Sequence, residues 1–335
     1  MKIIILSYGP SGMLHYALDL VNELSHGNDI YLFTTEKYVE EQFLFSKCNV
    51  IFISPNKIQD IKMKIDIINP DIIHITAFHY SLFVLLFFLK KRKTVYTVHD
   101  AKSHPYSSIW KNIKLKILIN QYTQRFLYSH VSKVICLSAY VAGQVNMKYG
   151  ITAPVIYLKN EKEKFKQDMN IDIDKKINVL CFGTLTAYKG QLFIEEFISY
   201  LETQQASDIK LVIAGKQNSE FVQKYSTLSF VHLINKYVDD REIFSLFSTV
   251  NIVLLPYTEV SQSGILALAL SFQKMCITPN LGSFNEYALA YPKLVRVLEE
   301  FTPEIVYHQC MVYNHNDFDL PKRYETFYSM LLNDK

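Results

Sequence analysis

The first half of the chain alternates between short apolar runs and stretches of helical periodicity. The run KIIILSY at the amino terminus predicts a buried strand. In the stretch HYALDLVNELSHG the apolar residues recur at helical spacing, and Gly27 suits the end of that helix. Five further strands are predicted at DIYLFTT, NVIFISP, DIIHITA, TVYTVHD and KVICLSA. Near-continuous apolar strands that alternate with helices predict a parallel sheet covered on both faces.

The alternation stops at a charged segment and then restarts. Residues 158–176 are rich in charge and poor in apolar side chains, which is typical of a linker. Beyond them come strand-like runs such as INVLCFGTL, IKLVIAGK and NIVLLPY, separated by helical stretches. We therefore predict an α/β protein of two doubly wound, Rossmann-like domains that face a cleft. The predicted parts are domains 1–157 and 177–315, the linker 158–176, and a terminal helix within 316–335.

Composition narrows the class of protein. Apolar residues make up 49% of the 335 positions and charged residues 20%, which favours a soluble protein with substantial cores. The five scattered cysteines form no CxxC pair, so we expect buried free thiols in a reducing compartment. The apolar run at the amino terminus is too short for a signal peptide, and the run at 81–89 is too short to cross a bilayer. We expect a cytoplasmic location.

Charge is distributed unevenly along the chain. Residues 1–157 hold 17 basic against 10 acidic side chains, whereas the remainder holds 18 against 22. The basic half would suit an anionic membrane or substrate, although the excess could equally serve solubility. Two segments that mix apolar residues with lysine, 81–93 and 109–119, could rest on the inner face of the plasma membrane. A buried helix with a basic end is the commoner explanation of such a segment.

Ligands of open α/β sheets bind beyond the carboxyl ends of the strands, so the loops after strands hold the candidate site residues. The first loop is PYTEVSQSG, which leads into an apolar helix. Ser261 or Ser263 could cap that helix, and Gly264 would allow a close approach to its amide groups. The arrangement would suit a phosphate, but an ordinary helix cap fits the local sequence as well.

Three other loops follow predicted strands. FGTLTAYKG places Gly183 at a strand end and Lys189 before a helix, where the lysine would neutralise a phosphate or simply be solvated. TVHDAKSHPYS places His99 and Asp100 at a strand end, and a histidine there could serve as acid, base or hydrogen-bond donor. SYGPSGMLHY has a glycine loop around Gly12, but it lacks the GxGxxG spacing of a dinucleotide site.

These loops, in this order, resemble those of GT-B glycosyltransferases of the family-four type. The resemblance runs nearly end to end, and no single motif in it is decisive. The matching segments are SYGPSGMLHYALDLVNEL, TVHDAKSHPYS, FGTLTAYKG, LVIAGK, YVDDREIFSLFSTVNIVLLPY, EVSQSGILALAL, NLGSFNEY and RYETFYSMLL. The last is similar to the carboxyl-terminal helix that crosses back onto the first domain in that family.

The resemblance implies a role for each loop. Lys189 would hold the diphosphate of a nucleotide-sugar donor, and the amides around Gly264 and Ile265 would bind its oxygens. His99 would reach the donor sugar, and the loop from Gly9 to Gly12 would border donor and acceptor. The remaining donor-binding candidates are Gly183, Ser261, Gln262 and Ser263. The lysine and the helix end would supply the positive charge without Mg²⁺, so no cofactor or metal is expected.

The chain also departs from the family pattern. The two glutamates usually found eight positions apart are replaced by Ser261 and Ala269, and the usual arginine is replaced by Thr184. A subset of the family with an SQSG turn shares these replacements. Glu259 stands close to the first lost glutamate and could contact sugar hydroxyls, and Glu286 in the GSFNEY turn is a second candidate, although both could equally be surface residues. Two D-x-D triplets, at 172–174 and 317–319, do not follow apolar strands, and we expect no bound metal at either.

The resemblance therefore implies a metal-independent glycosyltransferase that retains anomeric configuration. It would transfer a sugar from a nucleotide diphosphate to a glycan or lipid-linked acceptor in surface polysaccharide assembly, and it would have no nucleic-acid partner. Two alternatives stay open at this stage. One is a non-catalytic protein that binds a nucleotide or glycan, because the glutamate pair is missing. The other is a sugar-nucleotide epimerase, which shares the architecture.

Overall fold

The computed structural model describes residues 1–8, 11–35, 48–100, 113–157 and 177–313. These residues belong to two compact units, one before and one after the predicted linker. The linker 158–176, the terminal helix within 316–335, both D-x-D triplets and Gly9 lie outside the described residues. The domain boundaries drawn from the sequence therefore stay predictions.

The first unit contains one parallel sheet in its described residues. Its strands are β1 (Lys2–Leu6), β2 (Asp29–Thr34), β3 (Asn49–Phe52), β4 (Ile72–Ile75), β5 (Lys93–Val98) and β6 (Lys133–Cys136). Their order is β3-β2-β1-β4-β5-β6. The helices between them are α1 (Ser11–Leu24), α2 (Ile58–Ile68), α3 (Leu82–Leu89) and α4 (Ile113–His130), and α5 (Ala139–Tyr149) follows β6.

The second unit repeats this plan. Its strands are β7 (Ile177–Phe182), β8 (Ile209–Ala214), β9 (Val231–Ile234), β10 (Ile252–Leu254), β11 (Met275–Pro279) and β12 (Val295–Leu298), in the order β12-β11-β10-β7-β8-β9. Its helices are α6 (Gln191–Thr203), α7 (Ser219–Tyr225), α8 (Asp240–Thr249), α9 (Gly264–Ser271), α10 (Phe284–Ala290) and α11 (Pro303–Met311). The doubly wound α/β class predicted for both halves is confirmed.

Burial explains why the strands lack an alternating pattern. In β1 the consecutive residues from Ile3 to Leu6 are all fully buried, because helices cover both faces of a parallel sheet. Two separate apolar clusters, one on each face, fill the first unit, and two more fill the second. The sheets are therefore rigid supports, and the loops at their carboxyl ends are positioned by buried strands.

Two features differ from the sequence-based expectation. The sequence predicts a loop at Gly12, but α1 already begins at Ser11, so Gly12 lies in the first turn of that helix. The elements α7, α10, β12 and α11 were not predicted. They are short, and β12 buries only part of its surface, so none of them produces a long apolar period.

The cysteines and the helices also bear on the compositional predictions. All five cysteines lie in described residues and are free thiols, and all but Cys48 are buried. Burial raises the pKa of the Cys48 thiol to about 11 and that of Cys136 to about 12, so both stay protonated at neutral pH. In the part of the chain that the structure describes, no helix has the length and apolar character needed to cross a bilayer.

Candidate functional site

The candidate site of the second unit lies where its strand order reverses. The chain leaves β7 towards β8 and β9 on one side, and it later returns to β10, the neighbour of β7 on the other side. Such a switch point leaves a crevice beyond the carboxyl ends of the strands, where α/β proteins bind ligands. The two loops that flank it are 183–190 after β7 and 255–263 after β10.

These two loops are packed tightly against each other. Gly190 has a positive φ of 78°, and a methyl group added there would lie 1.9 Å from the carbonyl oxygen of Pro256. The amide of Thr258 donates to the carbonyl of Tyr188 at 2.8 Å. Only glycine permits both this backbone conformation and this approach, which explains why a glycine follows Lys189.

Lys189 ends a single 3-10 turn (Ala187–Lys189), and its side chain returns towards β7. A methyl group built on Gly183 would lie 3.0 Å from the Lys189 Nζ. Burial lowers the pKa of this lysine from its ordinary 10.5. Among the described residues no carboxylate lies within ion-pair distance of it. A partly buried cation without a neutralising partner in the described protein is suited to an anionic ligand.

The first turn of α9 faces the same glycine. The Ile265 side chain lies 3.9 Å from the position of a methyl group on Gly183. By helix geometry, the amide of Ile265 has no acceptor within the helix. A methyl group on Gly264 would touch nothing within 4 Å, so space is open at the helix start. Lys189 and the amino-terminal end of α9 therefore converge on Gly183.

Ser263 is the N-cap residue of α9. Its buried hydroxyl accepts a hydrogen bond from the amide of Leu266 at 3.1 Å. The sequence left Ser261 and Ser263 as alternative caps, and the structure identifies Ser263. The amide of Leu266 is thus satisfied by the protein itself, and a bound anion would have to meet the preceding amide of Ile265.

Two polar side chains in the flanking loops bury atoms without a hydrogen-bond partner in the described structure. They are the carbonyl oxygen Oε1 of Gln262, just before the cap, and the hydroxyl of Thr186, just before the 3-10 turn. A buried polar atom without a partner costs free energy, about 1–3 kcal/mol for a typical group. Both atoms are therefore candidates for contacts with hydroxyl groups of a ligand.

Gln217, in the loop after β8, was missed by the sequence analysis. Its Nε2 donates to the carbonyls of Gly183 and Gly215, both at 3.0 Å, and its Oε1 accepts from the amide of Leu185 at 3.0 Å. The side chain is buried and its hydrogen bonds fix the backbone on which Lys189 rests. Its position directly beyond a buried strand was visible in the sequence as AGKQ, but nothing there predicted these partners.

The two glutamates proposed for sugar contacts sit near the same loops. Glu259 is exposed in the loop after β10, and Glu286 is half-buried in the first turn of α10. The turn before α10 packs on the loop after β10, because a methyl group on Gly282 would lie 2.0 Å from the carbonyl oxygen of Val260. The contacts described above assign neither glutamate a role, so both roles stay predictions.

His99 and Gly12 belong to the first unit, whereas the other candidates belong to the second. His99 directly follows β5 and is buried, as expected for a residue at a strand end. Its Nε2 donates to the carbonyl of Thr76 at 2.7 Å. A carbonyl only accepts, so the proton sits on Nε2, and Nδ1 is the acceptor nitrogen of the neutral ring. Burial lowers the pKa of His99, and hydrogen bonding to Thr76 opposes that shift.

A second buried histidine lies beside it. The Nε2 of His74 is 2.7 Å from the hydroxyl of Thr97, which is 3.0 Å from the hydroxyl of Tyr16. Burial is the main cause that lowers the pKa of His74 to about 3, and the charge of His99 contributes. The edge of the Tyr16 ring contacts His99, with ring centres 5.3 Å apart. Tyr16 thus connects His99 to the hydrogen bonds of His74 and Thr97.

Comparison with protein families gives two matches that together cover most of the chain. Residues 10–160 match the family described as Glycosyltransferase Family 4, and residues 176–293 match the family described as Glycosyl transferases group 1. No curated protein sequence matches the chain. The two matches fall on the two units.

Solved structures share the architecture at low sequence identity. A glycosyltransferase from Rickettsia africae ESF-5 has a TM-score of 0.66 and 16% identity, over 92% of this chain and 88% of that one. A sucrose-phosphate synthase from Thermosynechococcus elongatus has a TM-score of 0.64 and 12% identity, over 92% and 88% of the two chains. UDP-GlcNAc 2-epimerase from Neisseria meningitidis, bound to UDP-GlcNAc, has a TM-score of 0.60 and 14% identity, over 93% and 91%. At such identities the likeness shows the fold alone.

Proposed function

Because the chain belongs to the GT-B glycosyltransferases of the family-four type, we propose that its second unit binds the diphosphate of a nucleotide sugar between Lys189 and the first turn of α9. The observation that carries this proposal is the convergence of both groups on Gly183. The missing side chain of that glycine leaves room beside the lysine Nζ and beside Ile265. A diphosphate there would meet an ammonium group and the positive end of a helix.

The same two groups would stabilise the leaving group. Breaking the bond between the sugar and the diphosphate places additional negative charge on the nucleoside diphosphate. Lys189 and the amide of Ile265 would both be held by the folded chain before the reaction, so little reorganisation would oppose this stabilisation. The described residues contain no group of three or more His, Cys, Asp and Glu side chains that could hold a metal ion. Metal independence is part of the proposal.

The sugar of the donor would lie towards the polar side chains of the flanking loops. The buried Oε1 of Gln262 accepts no hydrogen bond in the described structure, so a sugar hydroxyl could supply the missing donor. Glu259, Ser261 and Glu286 are the other candidates for hydroxyl contacts. His99 would act through Nδ1, since Nε2 is already bonded to Thr76.

The acceptor is proposed to be a glycan or a lipid-linked glycan in surface polysaccharide assembly. The family supports a nucleotide-sugar donor and a glycan acceptor in general. The lipid-linked acceptor and the role in surface polysaccharide assembly rest on the sequence resemblance. A lipid-linked acceptor would bring the enzyme to the inner face of the plasma membrane. Retention of anomeric configuration is proposed on the same basis, and NMR of the anomeric proton of the product tests it.

Thermal-shift titration against UDP-, GDP- and ADP-sugars tests donor binding, since a ligand that binds only the folded chain raises the melting temperature. We expect one nucleotide class to stabilise the protein and Lys189→Ala to lose that shift. Lys210→Ala is the matched control. Lys210 lies near the amino-terminal end of β8, away from the loops that follow the strands, and its Nζ donates to the carbonyl of Ser229. A shift of unchanged size in Lys189→Ala would reject the lysine as a diphosphate ligand.

Product analysis separates the competing functions. Incubation of the stabilising nucleotide sugar with glycan acceptors should release the nucleoside diphosphate and lengthen the acceptor. An epimerase would instead change the sugar while it stays attached to the nucleotide. The fold likeness to UDP-GlcNAc 2-epimerase makes this control necessary. A donor that binds but is neither transferred nor altered, with every acceptor class tested, would favour the non-catalytic alternative.

A further inference from the structure

Helix α3 of the first unit carries no polar residue, and only one of its sides is buried. Its sequence LFVLLFFL buries Leu82, Leu85, Leu86 and Leu89 in the core. The opposite side exposes Val84, Phe87 and Phe88, each by about half of its surface. An ordinary surface helix is polar on its outer side, so packing among the described residues of the unit does not explain this exposure.

The exposed apolar surface continues before the helix. Phe78 and Tyr80 are 45% and 60% exposed, and the ring of Phe78 lies 6.2 Å from that of Phe83 on α3. We name the surface formed by Phe78, Tyr80, Val84, Phe87 and Phe88 the aromatic face. Four half-exposed aromatic rings contribute roughly 400 Å² of apolar surface. The largest apolar patch on a typical monomer has about this size, roughly 300–600 Å², and it is often functional.

Lysines lie at the edge of the aromatic face. The Nζ of Lys90 is 4.9 Å from the ring centre of Phe87, and the Nζ of Lys62 on α2 is 6.0 Å from that of Phe88. Residues 58–68 and 82–93 together hold six basic and two acidic side chains, the latter being Asp60 and Asp66. Both aspartates are paired with basic residues of these segments, so the remaining charge is positive.

We propose that the aromatic face docks the enzyme on an anionic lipid bilayer. Exposed aromatic rings would enter the headgroup region, while the lysines beside them remain at the level of the lipid phosphates. Lysine is depleted at the cores of protein–protein interfaces, whereas it is common beside apolar residues on membrane-binding surfaces. The alternation of rings and ammonium groups therefore favours a bilayer over a protein partner. The choice of membrane rests on the proposed lipid-linked acceptor, but docking itself needs no donor.

Vesicle flotation of the full chain without any sugar nucleotide tests the proposal. We expect binding to mixed phosphatidylcholine–phosphatidylglycerol vesicles, weaker binding at high salt, and little binding to phosphatidylcholine alone. Phe87→Ser with Phe88→Ser should lower the partition coefficient about tenfold or more. Lys90→Glu with Lys91→Glu should abolish the preference for phosphatidylglycerol while leaving the rings in place.

Met147→Ser is the matched control, since Met147 is an exposed apolar residue of the same unit, 77% exposed on α5, and is not part of the aromatic face. It should bind vesicles like the parent chain.

Absence of binding to phosphatidylglycerol vesicles at low salt would overturn the proposal, as would unchanged binding of the double serine variant. Self-association that the serine variant loses, without vesicle binding, would assign the face to a second copy instead. If the serine variant fails to fold, the glutamate pair decides the question. Because donor binding is measured separately by thermal shift, either proposal can fail alone.

Discussion

The Nζ of Lys189 lies over the Cα of Gly183, so close that a single added methyl group on the glycine would be 3.0 Å from it. The first residue of the loop after β7 and the last residue of the following 3-10 turn thereby lie side by side, at the position proposed for the donor diphosphate. Ile265 of α9 borders the same glycine. One loop after β7 and the start of α9, which are distant in sequence, thus meet at one backbone position.

Removing the Lys189 charge should weaken donor binding strongly. We expect Lys189→Ala to raise the donor Kd about ten- to a hundredfold, the range for a charged hydrogen bond. Burial lowers the Lys189 pKa below 10.5, and the bound diphosphate needs the protonated form. Donor affinity should therefore fall as pH rises through that lowered pKa, earlier than for an exposed lysine. Calorimetric titration of the donor at a series of alkaline pH values measures how its Kd depends on pH. A Kd with the same alkaline pH dependence in Lys189→Ala would contradict it.

Gly190→Ala should disrupt the junction between the two loops. The substitution combines a positive φ of 78° with a methyl group 1.9 Å from the Pro256 carbonyl. Gly150→Ala is the matched control, since Gly150 also has a positive φ, 69°, but nothing lies within 4 Å of the added methyl. The control should cost about 1 kcal/mol of unfolding free energy, and Gly190→Ala at least about 2 kcal/mol more. Urea unfolding measures both, and equal losses would refute the close contact.

Gln217 should support donor binding without touching the donor. Gln217→Ala leaves the carbonyls of Gly183 and Gly215 and the amide of Leu185 without their partner. We expect a loss of about 2–3 kcal/mol in unfolding free energy and a raised donor KM.

Gln217→Glu separates positioning from packing. The side chain keeps its shape and can still accept from Leu185, but its carboxylate faces two carbonyls, so the donor KM should rise at least as much as in the alanine variant. Gln223→Ala, at an exposed position on α7, is the control and should change neither quantity. A lower stability with an unchanged KM in both Gln217 variants would limit this residue to a structural role.

Much of the fold could be predicted from the sequence because buried parallel strands leave continuous apolar runs. The strands from β1 to β11 all fall on such runs, and the helix starting at Gly264 follows from a serine-rich turn before an apolar period. β12 was not predicted because the exposed Arg296 interrupts its short apolar run. The predicted start of α1 is wrong because Ser11 and Gly12 are typical of a loop, whereas the helix includes both residues.

The site could be predicted only in part. Gly183, Lys189 and Ser263 stand at strand or helix ends, where local rules apply. The convergence on Gly183 and the role of Gln217 depend on contacts between loops, such as the bond from Gln217 to Gly183 across 34 positions. Such contacts are set by strand order, and no local pattern encodes them. The same holds for the outer side of α3, whose exposure depends on which neighbours cover it.

His99 offers a test that separates its two ring nitrogens. A glutamine amide can reach the position of Nε2 and keep the bond to the Thr76 carbonyl, whereas an asparagine amide resembles Nδ1 and loses that bond. If Nδ1 contacts the donor sugar, His99→Gln should keep the parental melting temperature and lose most of kcat. His99→Asn should be less stable, by about 1 kcal/mol, and retain more of kcat at low temperature. Equal kcat in His99→Gln and the parent would exclude a role for Nδ1.

His74 should make folding stability sensitive to acid. Burial lowers its pKa in the folded chain to about 3, whereas an unfolded histidine titrates near 6.5. The unfolded chain therefore binds a proton that the folded chain does not, and stability is lost progressively as pH falls from about 6.5 towards 3. Urea unfolding at a series of pH values gives the slope of the unfolding free energy against pH.

His74→Gln replaces the ring by a group that does not titrate but can still bond Thr97. Its slope should be shallower than that of the parent, because the variant lacks the proton that His74 binds only in the unfolded chain. Parallel slopes would show that His74 takes up its proton without unfolding.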